Sequence, residues 1–354
     1  MSIYIQSFSH ISTQEPLNDQ WFDAPHVLSE RFNPCVEPDY RNWMPPMETR
    51  RMGKLLKRAV TVSLDALQKG QCEMPDAIIS GTGLGCVENT EKFLNALLDN
   101  NEECLPPTPF MQSTHNTIGS QIALKLHCHG YNCTYSHRGA SFDHSLLDAF
   151  MQMQLHQIHT ALVGGFDEMT PDYFNMLGKI GYWRKMELSV CDLRCQGHSG
   201  SISGSTAATF LLSDQRLANT MCEVKAVEMF YGQDFSRISA YVNQILKNNG
   251  LTTNDIDAVV MGLSGDDAND AVYHRLIASV FQDIPVLWYK HLFGESFCSS
   301  AFGLAVAAEC LSHQRIPTGL LYSPDSGKTE KKPCNILVYN HFNSIDHSLI
   351  LVTA

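Results

Sequence analysis

The stretch Asn132–Met153, NCTYSHRGASFDHSLLDAFMQM, reads as the end of a strand, a sharp turn and the first turns of a helix. The apex is His137-Arg138-Gly139-Ala140-Ser141, and a Ser/Asp-rich start opens the helical segment behind it. An elbow of this kind lifts one side chain to a helix N-terminus, where the dipole lowers a thiol pKa and favours a developing negative charge. This apex contains no cysteine. The turn therefore decides the architecture, strand into helix, while lacking the group such turns usually present.

Outward from the elbow, similar units recur. DAIISGTGLG (Asp76 to Gly85) is a short apolar run ending in glycines, followed by CVENTEKFLNALLDN with helical periodicity. HNTIGSQIALKLH reads as a helix with Ile118, Ile122, Ala123 and Leu126 on its apolar face. TALVGGFDEM predicts a buried strand that breaks at Gly164-Gly165, and STAATFLLS predicts another strand. After about residue 220 the pattern restarts. SAYVNQILKNNG is a helix ended by Gly250, IDAVVMGLSG a strand running into a glycine turn, and DANDAVYHRLIASVF a helix. SFCSSAFGLAVAAECLSH suits a buried small-residue helix, and NILVYNHF with HSLILVTA predicts a closing hairpin. Alternating strands and helices imply a layered α/β architecture, and the restart suggests an internal duplication with halves at 1–215 (elbow at 133–149) and 216–354.

Composition narrows the partners. The 354 residues are 44% hydrophobic and 18% charged, which suits a globular chain with a large core. No apolar run reaches the roughly 20 residues that span a bilayer, and MSIYIQSFSHIS lacks the basic-then-apolar order of a secretory leader, so a cytoplasmic location is expected. A net charge of −12 argues against nucleic acid or an anionic membrane as partner. Twelve scattered cysteines read as reduced thiols serving as small core residues. His127, Cys128, His129 and Cys133 crowd LHCHGYNC, but without a second ligand pair at zinc-like spacing, so neither metal nor cofactor is expected. RRMGKLLKR, Arg50 to Arg58, suits an amphipathic helix with a solvated basic face, and secondarily a patch for an acidic carrier.

The order of these motifs resembles the β-ketoacyl synthases, condensing enzymes of the thiolase fold. PPTPFMQSTHNTIGSQIALKL is similar to the family segment before the active-site strand, and ALVGGFDEMTP to its Gly-Gly strand and acidic residue. GSTAATFLLS resembles the strand closing the first half. NNGLTTNDIDAVVMGLSGDDANDAVY, KHLFGESFCSSAFG and HFNSIDHSLIL resemble the first-histidine loop, the lysine loop with the second histidine, and the closing Phe-Gly-Gly loop. The likeness runs over nearly the whole chain. It implies a layered α-β-α-β-α fold of two duplicated halves, binding no cofactor.

In the family, an elbow cysteine accepts an acyl group, and two histidines bind the thioester carbonyl of a malonyl carrier protein so that decarboxylation yields a carbanion equivalent. Carried across, the cysteine's place falls on Gly139, the first histidine's on Gly262 or Met261, and the second histidine's on Glu295. Lys290 matches the family lysine and Phe342 its phenylalanine, while Asn343, Ser344 and Asp346 replace Gly, Gly and Asn. All three catalytic positions are thus substituted. Arg138, Ser141, Lys290 and Phe342 would line a vestigial pocket, with Arg138 filling its mouth or pairing with Glu295. Cys133 reads as a buried strand thiol rather than a displaced nucleophile. Ser141 would need a base, His137 being nearest in sequence, and His115 and His144 read as helix residues.

The resemblance implies a β-ketoacyl synthase-like protein of fatty acid, polyketide or aryl polyene biosynthesis. It would be a non-catalytic chain-length-factor partner that forms a heterodimer with an active ketosynthase, or a homodimer, and meets an acyl carrier protein. The alternatives are a divergent condensing enzyme or acyltransferase using a relocated residue, and a standalone binder of acyl chains or carrier protein.

Overall fold

The computed structural model describes residues 2–185, 193–194, 197–232, 234–323 and 331–354. Ten strands form the frame: β1 (Ile3–Ile11), β2 (Ala77–Gly81), β3 (Tyr131–Tyr135), β4 (Thr160–Asp167), β5 (Thr206–Ser213), β6 (Cys222–Tyr231), β7 (Ala258–Met261), β8 (Val286–Trp288), β9 (Asn335–Phe342) and β10 (Asp346–Thr353). The principal helices are α1 (Lys54–Lys69), α2 (Val87–Asp99), α3 (Thr117–Leu126), α4 (Ser141–Gln154), α5 (Phe235–Asn248), α6 (Asp267–Ser279) and α7 (Ser300–Ser312).

The strands run in the order β3-β2-β4-β5-β1-β6-β10-β9-β7-β8. Each half mixes parallel and antiparallel pairs: β2 lies parallel to β3 and β4, and β7 parallel to β8 and β9. Read from its outer edge inward, the second five strands repeat the order of the first, which is the mark of a duplicated unit. The two sets join through a short antiparallel seam, Ile3–Ile5 against Cys222–Val224. Helices α4 and α7 pack on the two sets and touch each other, forming the central layer. Their apolar faces, with Phe142, Leu146, Ala301 and Phe302, belong to one buried cluster drawing on strands from both halves.

The two ends of the sheet differ. β3 is an exposed edge, with Tyr131 and Asn132 open to solvent. β8 is fully buried and capped, by a bridge of Leu287 to Leu321 and a hydrogen bond from Tyr322 N to Val286 O of 2.8 Å.

Several expectations are corrected. β4 does not break at Gly164-Gly165 but continues to Asp167, paired on both sides. The glycines serve packing: a Cβ at Gly165 would press on Phe142 and Cys298, and one at Gly164 on the Phe166 ring. The face of α1 is not uniformly basic and solvated, because Arg58 is buried and its guanidinium holds Glu37. Of the ten described cysteines, all free, only Cys35, Cys86, Cys222, Cys298 and Cys310 are buried; Cys191 and Cys195 lie outside the described residues. His115 lies in a turn before α3, not in a helix. The described residues contain no helix long and apolar enough to cross a membrane.

Candidate functional site

The elbow forms where expected. β3 ends at Tyr135, a single 3₁₀ turn covers Arg138–Ala140, and α4 begins at Ser141. Reversing the chain so tightly puts Arg138 at φ 46°, a left-handed conformation that a non-glycine residue holds only under constraint. Ser141 supplies the constraint: its hydroxyl donates to Arg138 O at 2.7 Å and accepts from His137 N at 2.8 Å. The hydroxyl is fully buried and engaged in holding the turn. The His137 ring points elsewhere, with Nε2 3.4 Å from Asp346 Oδ1. Cys133 sits on the edge strand, half-buried rather than buried, and away from the apex.

The space in front of Gly139 is filled. A Cβ built there would lie within 2.9 Å of three Phe342 side-chain atoms, one of them the phenylalanine's own Cβ. Phe342 ends β9, and its ring packs edge-on to Phe297 at 5.7 Å. It is held by the hairpin that follows. Asn343 and Ser344 both take left-handed conformations (φ 54° and 55°), and Ile345 N bonds back to Phe342 O at 3.1 Å. Phe342 pairs with Asp346, so Asn343–Ile345 form a three-residue loop whose two left-handed positions are ones for which glycine is the easy choice.

Beside the elbow, Lys290 and Glu295 form an ion pair. Lys290 Nζ lies 2.5 Å from Glu295 Oε2, and Ser299 Oγ donates to the other carboxylate oxygen at 3.0 Å. The side chains are only 9% and 13% exposed. Gly294 positions the carboxylate: at φ 68° a Cβ would fall within 2.6 Å of the Ser203–Gly204 backbone. Arg138 is exposed and Glu295 is paired with Lys290, so of the two readings of Arg138, filling the mouth or pairing with Glu295, the second gives way to a local pair.

The two candidate positions of the first-histidine loop, Met261 and Gly262, have different surroundings. Met261 packs on the outer face of the second half with Tyr273, Trp288 and Tyr339. A Cβ at Gly262 would instead approach the Tyr273 hydroxyl (2.6 Å), Asn340 Oδ1 (2.8 Å) and the Tyr289 hydroxyl (3.2 Å). Tyr289 donates to Asn340 at 2.7 Å, and burial with the nearby Glu295 carboxylate keeps its phenol well above its usual pKa. His341 is close by, stacked on Tyr273 at 4.4 Å, and burial, His347 and Lys290 push its pKa down to about 3. Glu295 and Ser344 face a surface cavity of about 330 Å³, together with Tyr182, Ser201, Asp266 and Asn269.

Two buried carboxylates tie the site together, of which Asp143 escaped the sequence reading and Asp167 entered it only as the acidic residue after the Gly-Gly strand. Asp143, in the first turn of α4, accepts from Ser348 Oγ of β10 (2.7 Å) and Ser300 Oγ of α7 (2.8 Å). Burial raises its pKa to about 6, with the two hydroxyls and Lys290 opposing. Asp167, ending β4, accepts from Thr82 Oγ1, Gly83 N and Leu84 N at 2.9–3.1 Å and is likewise raised to about 6 by burial. In sequence, Asp143 looks like an ordinary acidic helix start; nothing in its spacing signals partners 157 and 205 residues away.

Residues 19–192 match the family model described as β-ketoacyl synthase, N-terminal domain. No curated protein matches the chain. Among solved structures, the ishigamide ketosynthase/chain length factor superposes with a TM-score of 0.80 at 16% identity, covering 100% of this chain and 99% of that one. A β-ketoacyl synthase from Burkholderia phymatum STM815 gives the same values. A type II polyketide synthase acyl-carrier protein in complex with its ketosynthase bound to the hexaketide gives 0.78 at 13% identity, covering 100% and 99%. Residues 19–192 are thus similar to the N-terminal domain of the β-ketoacyl synthases, and the chain has the thiolase-like ketosynthase fold along its whole length.

Proposed function

We propose that the chain is a non-catalytic, chain-length-factor-type subunit that pairs with a cysteine-bearing ketosynthase in a type II polyketide or aryl polyene system. One observation carries this reading: the Phe342 side chain occupies the space into which any side chain at Gly139 would grow. An acyl-accepting thiol has neither a residue to carry it nor room to stand. The other two catalytic places support the same conclusion. Glu295 takes the second histidine's place and is neutralised by Lys290, and neither Gly262 nor Met261, the candidates for the first, offers an imidazole. Reading the chain as an enzyme with a relocated nucleophile gains nothing from Ser141, whose hydroxyl is committed to the turn, or from Cys133, which lies off the elbow.

The edge strand β3, with Met151 and Leu155 exposed at the far end of α4, supplies the face on which the partner would extend the sheet. The matches to a ketosynthase/chain length factor and to a ketosynthase–carrier protein complex support the choice of partners; the cytoplasm is the compartment this reading requires.

The test has two parts. The purified chain is incubated with acyl- and malonyl-loaded carrier protein while intact mass and carbon dioxide release are recorded; no adduct and no release are expected. It is then co-expressed with a cysteine-bearing ketosynthase, where a one-to-one complex lost on Met151→Glu/Leu155→Glu substitution is expected. A stable acyl adduct on the chain alone, or decarboxylation without a partner, overturns the proposal.

A further inference from the structure

Away from the elbow, the C-terminal turn of α7 meets the chain's N-terminal segment. Glu309 and His313 stand four residues apart on α7 and its cap, and so share one helix face. Asp19, just before the short helix Gln20–Asp23, approaches that face. His313 Nε2 lies 3.5 Å from Asp19 Oδ2 and 3.4 Å from Glu309 Oε2, and one ligand atom from each of the three residues falls within 4.8 Å of the others. Two donors each at about 2.1 Å from a tetrahedral metal stand roughly 3.4 Å apart, so the two separations from His313 are those of ligands around one ion.

A second observation is independent of that spacing. The Glu309 side chain is only 8% exposed, and among the described residues no hydrogen bond reaches its carboxylate; its one ion-pair contact is His313. A buried carboxylate without donors is compensated by either a proton or a cation. Lys69, whose charge reaches Glu309, is itself paired with Asp65 at 2.6 Å, and Arg315 is paired with Asp23. The His313 ring is held by stacking on Phe22 (4.8 Å, 23°), with Nε2 towards both carboxylates. The negative end of the α7 dipole adds to the attraction for a cation. Asp19 and Glu309 also line a cavity of about 390 Å³ with Gln6 and Asn18, which leaves room for water in a remaining coordination position.

We propose that Asp19, Glu309 and His313 bind one divalent transition cation of the zinc type, tying the N-terminal segment to the central helix α7. The set of one imidazole and two carboxylates suits Zn²⁺, Co²⁺ or Mn²⁺ rather than a soft, thiolate-seeking ion. This site is separate from the elbow and does not depend on the proposed pairing role.

The full chain is stripped with a chelator and titrated with Zn²⁺ and, separately, with Co²⁺, whose visible spectrum distinguishes nitrogen and oxygen ligands from cysteine thiolates. One equivalent bound through nitrogen and oxygen is expected, with a rise in melting temperature. Asp19→Asn, at a side chain 60% exposed, and His313→Gln are each expected to weaken binding by about tenfold or more and to abolish the thermal shift. Because Asp19 is exposed, its substitution leaves folding intact even if His313→Gln does not. Failure of the full chain to bind either ion, a thiolate spectrum with Co²⁺, or unchanged binding by Asp19→Asn overturns the inference.

Discussion

At Gly139 the absence of a side chain has a physical counterpart: another residue has moved in. Restoring the nucleophile by Gly139→Cys would push its Cβ into Phe342, an overpacking that should cost about 1–3 kcal/mol in chemical denaturation. Gly139→Cys with Phe342→Ala should recover much of that loss and expose the thiol to alkylation. Neither variant should release carbon dioxide from a malonyl-loaded carrier protein or condense, since no imidazole stands at Gly262 or Glu295. Acylation of the single variant would sink this account of the blocked elbow. That Gly139 has no side chain is legible in the sequence; that a ring 203 residues further along fills the space before it is not, because that contact exists only once the hairpin closes. The Lys290–Glu295 pair was half legible in the same way: both residues stood out, but the partner weighed for Glu295 was Arg138. Removing one partner, as in Glu295→Ala, should cost about 3–5 kcal/mol, while Lys290→Met with Glu295→Leu should cost far less. Equal losses would mean that the pair is solvated and its charge is not at stake.

Among the elements, helices with a clear apolar stripe and the closing hairpin were readable, because their periodicity is set locally. β8, three residues buried throughout, and β1, buried on both faces, carry no alternation to find, and β6, only partly buried, was also missed. The Gly-Gly pair in β4 was misread because glycine punctuates isolated chains, whereas here neighbouring strands hold the backbone on both sides. The site's most connected element, α4, is anchored by Asp143 to both α7 and β10. Asp143→Ala would strand two buried serine hydroxyls and should cost about 2–4 kcal/mol by urea unfolding, with Asp143→Asn distinctly milder. If the alanine variant loses under about 1 kcal/mol, the two hydroxyls have other partners and the anchor is incidental.

For the molecule as a whole, burial of titratable groups sets how stability follows pH. Glu168 is raised from 4.5 to about 7, chiefly by burial, with Glu88 and Glu91 adding and Arg58 opposing. Its folded pKa exceeds the unfolded one, so its contribution is complete below about 4.5 and is lost as pH rises to 7. The buried His291 and His341, lowered to about 3, act oppositely: below 6.5 only the unfolded chain binds their protons, and stability falls with pH. Glu168→Gln keeps the acceptor for Glu88 N and removes the titration. Its stability relative to the parent should therefore grow by about 3 kcal/mol between pH 4.5 and 7, then level off. A difference independent of pH would show that Glu168 is ionised in the fold throughout that range. The layered class and the restart of the pattern were legible from alternating elements; the identical strand order of the two sets emerges only from pairing.

The unequal ends of that sheet carry a further consequence. One margin is open at β3, and the other is sealed by the Leu321–Tyr322 segment over β8. A tile with a single unfinished side can be matched once, after which nothing remains to continue the row. Strand addition at β3 would therefore end at a pair, and the cover over β8 works against end-to-end repetition of this chain.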